Sequence, residues 1–157
     1  MQQITPFLWF NENAEEAIDF YCSIFNNSKI IKKTRYTEVG PGAKGHLMTV
    51  SFELNGQEFI ALNGGPMFKF TEAISFVVNC TSQEEVNDYW SKLSEGGQTS
   101  QCGWLKDKFD LSWQIVPTIL PKLISDPDPD KSNRVMQAMM KMEKIIIADL
   151  QAAYDEK

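Results

Sequence analysis

The stretch ITPFLWFNENAEEAIDFYCSIF, residues 4–25, decides the fold because it joins a strand pattern directly to a helix pattern. Residues 4–10 are a short apolar and aromatic run, which predicts a strand. Asn13 is the expected N-cap of the following helix, with Glu16 three residues later as its capping-box partner. The helix brings one apolar face together: Ala14, Ala17, Ile18, Tyr21, Ile24 and Phe25. The sequence therefore predicts a strand followed by an amphipathic helix.

Three further strand patterns follow this helix and complete a first module. Residues 29–38 alternate loosely, residues 46–54 alternate clearly, and residues 57–62 return after Asn55-Gly56. Asn-Gly is a strong hairpin signal because both residues adopt the positive φ angles of a tight two-residue turn. The order β-α-β-β-β is therefore predicted for residues 1–66.

A second copy of the pattern occupies residues 70–117. Residues 74–80 (ISFVVNC) predict a strand, Ser82 with Glu85 predicts a second capping box, and residues 84–93 predict a helix. EEVNDYW at residues 84–90 lies over EEAIDFY at residues 15–21, an offset of 69. Further strands are expected at residues 101–106 and 110–116, and Gln114 is matched with Asn63 at the module ends. The repeat predicts two related modules within one α+β domain, residues 1–157.

Residues 118–157 lie outside the repeat and predict a helical extension. The segment from Asp126 to Asp130 (DPDPD) is expected to be a stiff acidic connector that holds the last helices away from the second module. Ser132 is the expected cap of the next helix, and a last amphipathic segment ends near Tyr154. These helices share an apolar surface: Val135, Met136, Met139, Met140, Met142 and Ile145 to Ile147. This surface is too large to leave in water, so we expect it to be covered, either within the chain or between subunits.

The composition excludes several classes of protein. Fifteen basic and twenty-one acidic residues give a formal net charge of −6. No basic run exceeds Lys32-Lys33, so nucleic acid is not an expected partner. No apolar run approaches the roughly 18 residues of a membrane span, and the N-terminus lacks a secretory signal pattern. Cys22, Cys80 and Cys102 form no C-x-x-C pair. We therefore expect a cytoplasmic protein with no membrane partner and no disulfide framework.

The two modules resemble the PhnB-like branch of the vicinal oxygen chelate superfamily, which includes glyoxalase, bleomycin resistance proteins and dioxygenases. The resemblance rests on FLWFNENAEEAIDFY (7–21), ALNGGP (61–66), ISFVVNC (74–80), CGWLKDKFDLSWQIVPTIL (102–120) and RVMQAMMKM (134–142). It implies a glyoxalase-like fold in which curved sheets form a cup, assembled as a homodimer. Members of this branch also carry the name 3-demethylubiquinone-9 3-methyltransferase domain.

The resemblance also indicates where a metal site would lie. In metal-using members of the superfamily, His, Gln or Glu side chains on the first and last strands of each module hold a divalent ion. In the first strands these positions fall on Pro6 and, by the 69-residue offset, on its partner Ser75. The closing strands offer Asn63 and Gln114. Proline has no ligand atom, and neutral hydroxyl and amide oxygens are weak ligands for Zn, Ni, Fe or Mn. We therefore expect no metal and no other cofactor.

Without a metal, the favoured function is the binding of a small organic ligand in the cup. The expected ligand-binding residues are Asn63, Ser75, Trp104 and Gln114, since an apolar pocket with a few directed polar groups is the usual small-molecule site. Buried amides without partners are costly, so Asn63 and Gln114 are expected to bond something. His46 is interpreted as an edge residue and Cys102 as a small buried hydrophobe. The sequence identifies no catalytic constellation.

Three alternatives stay open. One is a metal-dependent lyase, isomerase or dioxygenase of the superfamily whose ligands lie at other positions. The second is a methyltransferase, as the branch name suggests, although the chain shows no strand, glycine-rich loop and helix of the dinucleotide-binding type. The third is a non-catalytic protein in which the homodimer is the functional unit. For the homodimer we expect residues after Pro117 to form part of the interface, and truncation at Ser125 to give monomer or aggregate.

Overall fold

The computed structural model describes residues 2–156 and divides after Phe70 into two compact units. The elements of the first unit are β1 (Phe7–Phe10), α1 (Ala14–Ile24), β2 (Ser28–Arg35), β3 (Leu47–Leu54) and β4 (Gln57–Asn63). Its strands lie in the order β1-β4-β3-β2, with β1 parallel to β4 and the other neighbours antiparallel. This is the predicted β-α-β-β-β order.

The apolar face of α1 forms the core of the first unit. The residues predicted for this face are all buried: Ala14, Ala17, Ile18, Tyr21, Ile24 and Phe25. The helix contacts β3 and β4, where Phe52 and Phe59 are cross-strand partners with ring centroids 5.4 Å apart. Asn55 (φ 48°) and Gly56 (φ 83°) form the predicted tight turn between these strands. One face of the sheet is therefore fixed against the helix, which holds the strands in a single register.

The second unit repeats this arrangement with shorter strands. Its elements are β5 (Ser75–Cys80), α2 (Gln83–Ser94), β6 (Gln98–Thr99), β7 (Trp104–Lys106) and β8 (Ser112–Pro117). Its strands lie in the order β5-β8-β7-β6, and β5 is parallel to β8. Strand β6 was not predicted, because its two polar and exposed residues give no alternating pattern. The two mixed sheets with their helices confirm the α+β fold class.

The two predicted capping boxes have different outcomes. Ser82 Oγ accepts a hydrogen bond from Glu85 N at 3.1 Å, as predicted. Asn13 occupies the N-cap position of α1, but its side chain makes no capping hydrogen bond. Asn63 of β4 supplies the acceptor instead, since its Oδ1 lies 2.9 Å from Ala14 N. The prediction of Asn13 as a side-chain cap was therefore wrong, because a residue distant in sequence takes that role.

The C-terminal extension consists of α3 (Ile119–Ile124), α4 (Pro129–Met140) and α5 (Ile147–Asp155). These helices contact one another and share a buried apolar cluster: Leu120, Leu123, Val135, Ile145 and Leu150. Met140 remains 62% exposed, whereas Val135 and Ile145 are fully covered within the chain. Most of this apolar surface is only partly buried, and a subunit interface formed in part by residues after Pro117 stays a prediction.

The acidic segment before α4 turns the chain back instead of holding the last helices away. Asp128 caps α4 by accepting from Asp130 N at 3.0 Å, and Pro129 occupies the first turn, where its missing N–H costs nothing. Asp126 accepts from Tyr154 Oη of α5 at 2.8 Å. The prediction that this segment holds the last helices away from the second module was wrong, because residues 142–145 hydrogen-bond Cys102, Gly103 and Gln83 of that module. Ser132, the expected cap, lies inside α4.

The helices within residues 2–156 are short. The longest described, α2 and α4, have 12 residues each. No helix within residues 2–156 has both the length and the apolar character that crossing a membrane requires.

Candidate functional site

One polar face of the second unit's sheet holds three of the four residues predicted to bind a ligand. Gln114 of β8 donates through Nε2 to Ser75 Oγ of β5 at 2.9 Å. Trp104 of β7 is the direct cross-strand partner of Gln114. Trp113 and Ile115, which flank Gln114 in β8, are buried on the opposite face because side chains alternate along a strand. Ser75, Trp104 and Gln114 therefore share the face that points away from the core of this unit.

A cavity of about 340 Å³ opens beside this face. Its wall includes Trp104, Lys106 and Ser112, together with strand β6 and Glu72. Ser112 is the ladder partner of Lys106 on one side and of Ser75 on the other. The cavity is therefore lined by residues that carry an indole ring, an ammonium group and a hydroxyl. Of these, Ser112 lies two residues before Gln114 in β8.

Ser112 was not predicted as a site residue, and its hydroxyl is the most unusual group in this cavity. The residue is 1% exposed, and its Oγ has no hydrogen-bond partner within residues 2–156. A buried hydroxyl without a partner costs about 1 to 3 kcal/mol, so such groups are rare in folded proteins. Strand alternation with Gln114, two residues later, is the sequence signal that places Ser112 on the same face.

Lys106 and Glu72 form an ion pair at this cavity. Neither was predicted as a site residue from the sequence. The Lys106 side chain is 30% exposed and the Glu72 side chain 62% exposed. Their mutual hydrogen bond is the main cause of two shifts, a lowered pKa of Glu72 and a raised pKa of Lys106. Both groups are therefore charged near neutral pH. No sequence pattern marks this pair, because the two residues lie in different segments and meet only through the fold.

Asn63, the fourth predicted ligand-binding residue, has structural partners in the first unit. Its Oδ1 accepts from Ala14 N, and its Nδ2 donates to Leu47 O at 3.2 Å. Its carbonyl oxygen accepts from Tyr36 Oη at 2.6 Å. Asn63 also lines a cavity of about 390 Å³ at the N-terminus of α1, together with His46. The amide bonds backbone groups as well as facing this cavity, and its role in ligand binding stays a prediction.

The number of residues that separates equivalent positions of the two units differs between the strands and the helices. The buried residues Leu8 and Phe10 of β1 correspond to Val78 and Cys80 of β5, an offset of 70 rather than 69. The turn between strand and helix causes this difference, since it has three residues before α1 and two before α2. An error of one residue in a strand moves a side chain to the opposite face of the sheet.

Two equivalences inferred from the sequence were therefore wrong. Pro6 is not the counterpart of Ser75, because the offset of 69 applies only to the helices. Gln114 corresponds to Ile60 of β4 rather than to Asn63, since each is the ladder partner of an equivalent residue in the first strand of its unit. The polar pair of the second unit consequently has no equivalent at the matching positions of the first.

The four positions predicted from the superfamily do not fit a transition metal. Ser75 and Gln114 hydrogen-bond each other, Asn63 bonds backbone groups, and Pro6 has no donor atom in its side chain. Within residues 2–156, no three His, Cys, Asp or Glu side chains come close enough together to hold a metal ion. The donor set lacks the nitrogen, thiolate and carboxylate ligands that Zn, Ni, Fe and Mn require.

The cysteine thiols and the His46 imidazole lie in environments different from the polar face of Ser75, Trp104 and Gln114. Burial raises the pKa of the Cys80 thiol to about 11, with a smaller contribution from Glu85, so this thiol stays protonated near neutral pH. Cys102 adopts φ 60° and donates its backbone N–H to Met142 O at 2.8 Å. His46 is exposed. Cys102 is only partly buried, so its interpretation as a buried hydrophobe was wrong, and its backbone N–H instead anchors the turn before Trp104.

The fold and this polar face together define a class of protein. Two β-α-β-β-β units with mixed four-stranded sheets are the architecture of the glyoxalase-like, vicinal oxygen chelate superfamily. The model of the family described as 3-demethylubiquinone-9 3-methyltransferase matches residues 2–116. The chain belongs to this family, the PhnB-like branch of the superfamily, as the sequence resemblance predicted. The match ends before α3, so the C-terminal extension lies outside it.

Solved structures show the same relationship. A Bacillus cereus structure, described as a putative 3-demethylubiquinone-9 3-methyltransferase, PhnB protein, is 39% identical, with a TM-score of 0.68. The alignment covers 74% of this chain and 100% of that one. A Pseudomonas aeruginosa protein is 20% identical over 74% of this chain and 98% of its own, with a TM-score of 0.62. Among curated proteins, none matches.

A solved structure with lower sequence identity has the same fold and contains a metal ion. The fosfomycin resistance protein FosX from Listeria monocytogenes, in complex with Mn(II) and sulfate, is 15% identical, with a TM-score of 0.52. The alignment covers 74% of this chain and 89% of that one. This likeness shows a shared fold and does not assign a metal or a substrate to this chain. The methyltransferase description of the family is likewise a name rather than an activity.

Proposed function

We propose that this protein binds a small organic ligand without a transition metal, at the polar face formed by Ser75, Trp104 and Gln114. The observation that carries the proposal is the adjoining cavity, which is lined by Trp104 and by Ser112, whose hydroxyl has no hydrogen-bond partner within residues 2–156. A concave site with an aromatic wall and a few convergent polar groups is the usual form of a small-molecule site. A bound ligand would supply the hydrogen bond that Ser112 lacks.

The Ser75–Gln114 pair supports this proposal because it leaves capacity for further hydrogen bonds. Gln114 uses one of its two Nε2 hydrogens on Ser75, and its amide oxygen can accept two more bonds. Ser75 can still donate its own hydroxyl hydrogen. The pair therefore presents both a donor and an acceptor in a fixed arrangement beside the cavity.

A fragment screen by saturation-transfer NMR tests this function. The purified protein is first analysed for bound metal and is expected to hold less than stoichiometric Zn, Ni, Fe or Mn. Gln114→Leu and Ser75→Ala should each weaken the binding of fragments about tenfold, because each removes a hydrogen bond in a partly buried site. Asn79→Ala is the matched control, since Asn79 is an exposed residue further along the same strand.

Two results would contradict the proposed function. One is a stoichiometric transition metal that remains bound through purification without chelator. The other is a set of fragments whose affinities are unchanged by both Gln114→Leu and Ser75→Ala.

We also infer that the protein forms a homodimer and is cytoplasmic. Support for the dimer comes from apolar side chains at the edges of the two sheets, where Phe7 of β1 is 55% exposed and Ile74, before β5, is 70% exposed. Exposed apolar edges favour association, and two-fold symmetric dimers are the commonest oligomers. The cytoplasmic location is supported by three cysteines that are all unpaired.

Light scattering coupled to size-exclusion chromatography measures the molar mass of the protein in solution and hence its oligomeric state. At tens of micromolar the wild-type protein should be a dimer, and Phe7→Lys should shift it toward monomer because a charge replaces an apolar contact. Val39→Lys is the control, since Val39 is 95% exposed in a loop and should leave the mass unchanged. A monomeric wild-type protein would rule out the dimer.

A further inference from the structure

We propose that the ligand of the 340 Å³ cavity is a small organic carboxylate, held between Lys106 and Ser112, and that Glu72 occupies the carboxylate position when no ligand is bound. This inference deepens the proposed function and rests on it. It assigns a chemical class to the ligand and gives Glu72 the role of an internal competitor.

The geometry of the ladder brings the two anion-binding groups together. Ser112 and Lys106 are direct partners on neighbouring antiparallel strands. The side chains of such partners project from the same face, with Cβ atoms about 4.5 to 5.5 Å apart. A carboxylate placed over this pair can accept from the hydroxyl through one oxygen and from the ammonium through the other. Such a ligand satisfies Ser112 Oγ, which has no protein partner within residues 2–156.

The Glu72 carboxylate shows that the Lys106 ammonium group can pair with a carboxylate at this cavity. It hydrogen-bonds and ion-pairs with Lys106 from a short turn that precedes β5, and its side chain is 62% exposed. An exposed ion pair contributes little stability, so a ligand that also reaches Ser112 can displace it. Glu72 itself forms no hydrogen bond with Ser112. The extra bond to Ser112 is therefore what favours the ligand over the internal carboxylate.

The remaining wall of the cavity specifies the rest of the ligand. Trp104 lies two residues before Lys106 in β7, and alternation places both side chains on one face. An indole ring offers a flat apolar surface, which suits a planar or aromatic group next to the carboxylate. One ammonium and one hydroxyl match a single negative charge rather than a dianion. A planar monocarboxylate therefore fits the cavity better than a phosphonate.

Titration of the intact protein with benzoate and benzamide, followed by NMR chemical shifts, tests this assignment. The two probes have the same shape and differ in charge, so benzoate should bind at least about tenfold more tightly. Ser112→Ala and Lys106→Gln should each weaken benzoate binding by roughly tenfold or more. Glu72→Gln should strengthen it by about two- to fivefold, because it removes the internal competitor. Lys108→Gln is the matched control, since Lys108 is exposed beyond the strand end, and should have no effect.

The folded state of each variant is checked by its thermal midpoint. Ser112→Ala removes an unsatisfied buried hydroxyl, so its midpoint should equal or exceed that of the wild type. A loss of benzoate binding in this variant then reports the missing hydrogen bond rather than unfolding.

The possible outcomes separate this inference from the proposed function. Equal affinities for benzoate and benzamide, both lost in Gln114→Leu, would leave the proposed function standing and overturn the carboxylate assignment. Tighter binding of phenylphosphonate than of benzoate would also overturn it, in favour of a dianion. A Glu72→Gln variant that binds benzoate no better than the wild type would remove the competitor role. Failure of every probe together with an empty fragment screen would contradict both proposals.

Discussion

Asp107→Ala is expected to lower the free energy of unfolding by about 3 to 5 kcal/mol, because it removes a carboxylate that accepts three hydrogen bonds in the turn between β7 and β8. Asp107 is 1% exposed. Its Oδ1 accepts from Phe109 N at 2.8 Å and Leu111 N at 3.1 Å, and its Oδ2 accepts from Trp113 Nε1 at 2.8 Å. Alanine leaves all three donors without this partner, two of them in buried bonds and the third in a partly buried one. Each unsatisfied buried donor costs about 1 to 3 kcal/mol.

Guanidinium unfolding followed by circular dichroism measures this loss. Asp107→Asn keeps the size and one acceptor oxygen, so its effect should be smaller than that of alanine. Asp19→Ala is the surface control, since Asp19 is exposed on α1, and it should change the free energy by less than about 0.5 kcal/mol. A loss below about 1 kcal/mol for Asp107→Ala would show that water or the backbone replaces the carboxylate.

The functional consequence of this turn lies in the strand that follows it. The turn joins β7 to β8, and β8 carries both Ser112 and Gln114. Trp113, which is bonded to Asp107, fixes the orientation of β8 because alternation places its two neighbours on the opposite face. The carboxylate therefore holds the site residues in register without contacting the cavity.

The sequence predicted the parts of this fold that local chemistry determines. The apolar spacing of α1, the hairpin at Asn55-Gly56 and the Ser82 cap each depend on residues within a few positions of one another. Predictions from such local signals hold in the folded protein because local preferences and the overall fold favour the same structure. The repeated module was recognisable for the same reason.

The features that depend on distant segments could not be predicted in this way. The Asn63 side chain caps α1 across 49 residues of sequence, so the nearer Asn13 looked like the cap. One extra residue in the turn before α1 moved Pro6 out of register with Ser75, and a helix alignment cannot detect that change. The acidic segment from Asp126 was interpreted from its prolines alone, although its aspartates determine where the chain turns.

The candidate site was predictable in its position but not in its chemistry. Ser75, Trp104 and Gln114 were placed on strands that the structure brings side by side. Ser112 was missed because serine in a strand carries no distinctive signal until its burial and lack of a partner are known. The importance of Lys106 similarly depends on its ladder partner, which only the register of β7 and β8 reveals.

The C-terminal extension, which lies outside the family match, holds the turn that leads into Trp104. Cys102 N and Gly103 N donate to Met142 O and Glu143 O at 2.8 and 2.7 Å. Gln83 of α2 secures the same segment through both of its side-chain polar atoms, bonding Ile145 O at 3.0 Å and the N–H of the first residue of α5 at 2.7 Å. The extension is therefore attached to the rest of the second unit at this turn and at α2.

Gly103→Ala is expected to destabilise the protein by about 3 to 4 kcal/mol, since two costs add at this position. Gly103 has φ 82°, and a Cβ atom there would lie 2.8 Å from Ile115 O and 3.1 Å from an Ile145 side-chain carbon. The carbonyl belongs to β8 and cannot move without disturbing the ladder beside Gln114. Gly45→Ala is the matched control, because Gly45 has φ 85° with open space around it.

The difference between these two variants isolates the steric cost of a Cβ atom placed at residue 103 between β8 and the extension. Gly45→Ala should lose only the conformational cost of a left-handed residue, about 1 to 2 kcal/mol, whereas Gly103→Ala should lose roughly twice as much in guanidinium unfolding. Hydrogen exchange should also become faster at the amides of residues 102 and 103 in Gly103→Ala, since the added methyl group pushes the turn away from its acceptors in the extension. Equal losses in the two variants, with unchanged exchange at both amides, would show that the extension does not hold this turn.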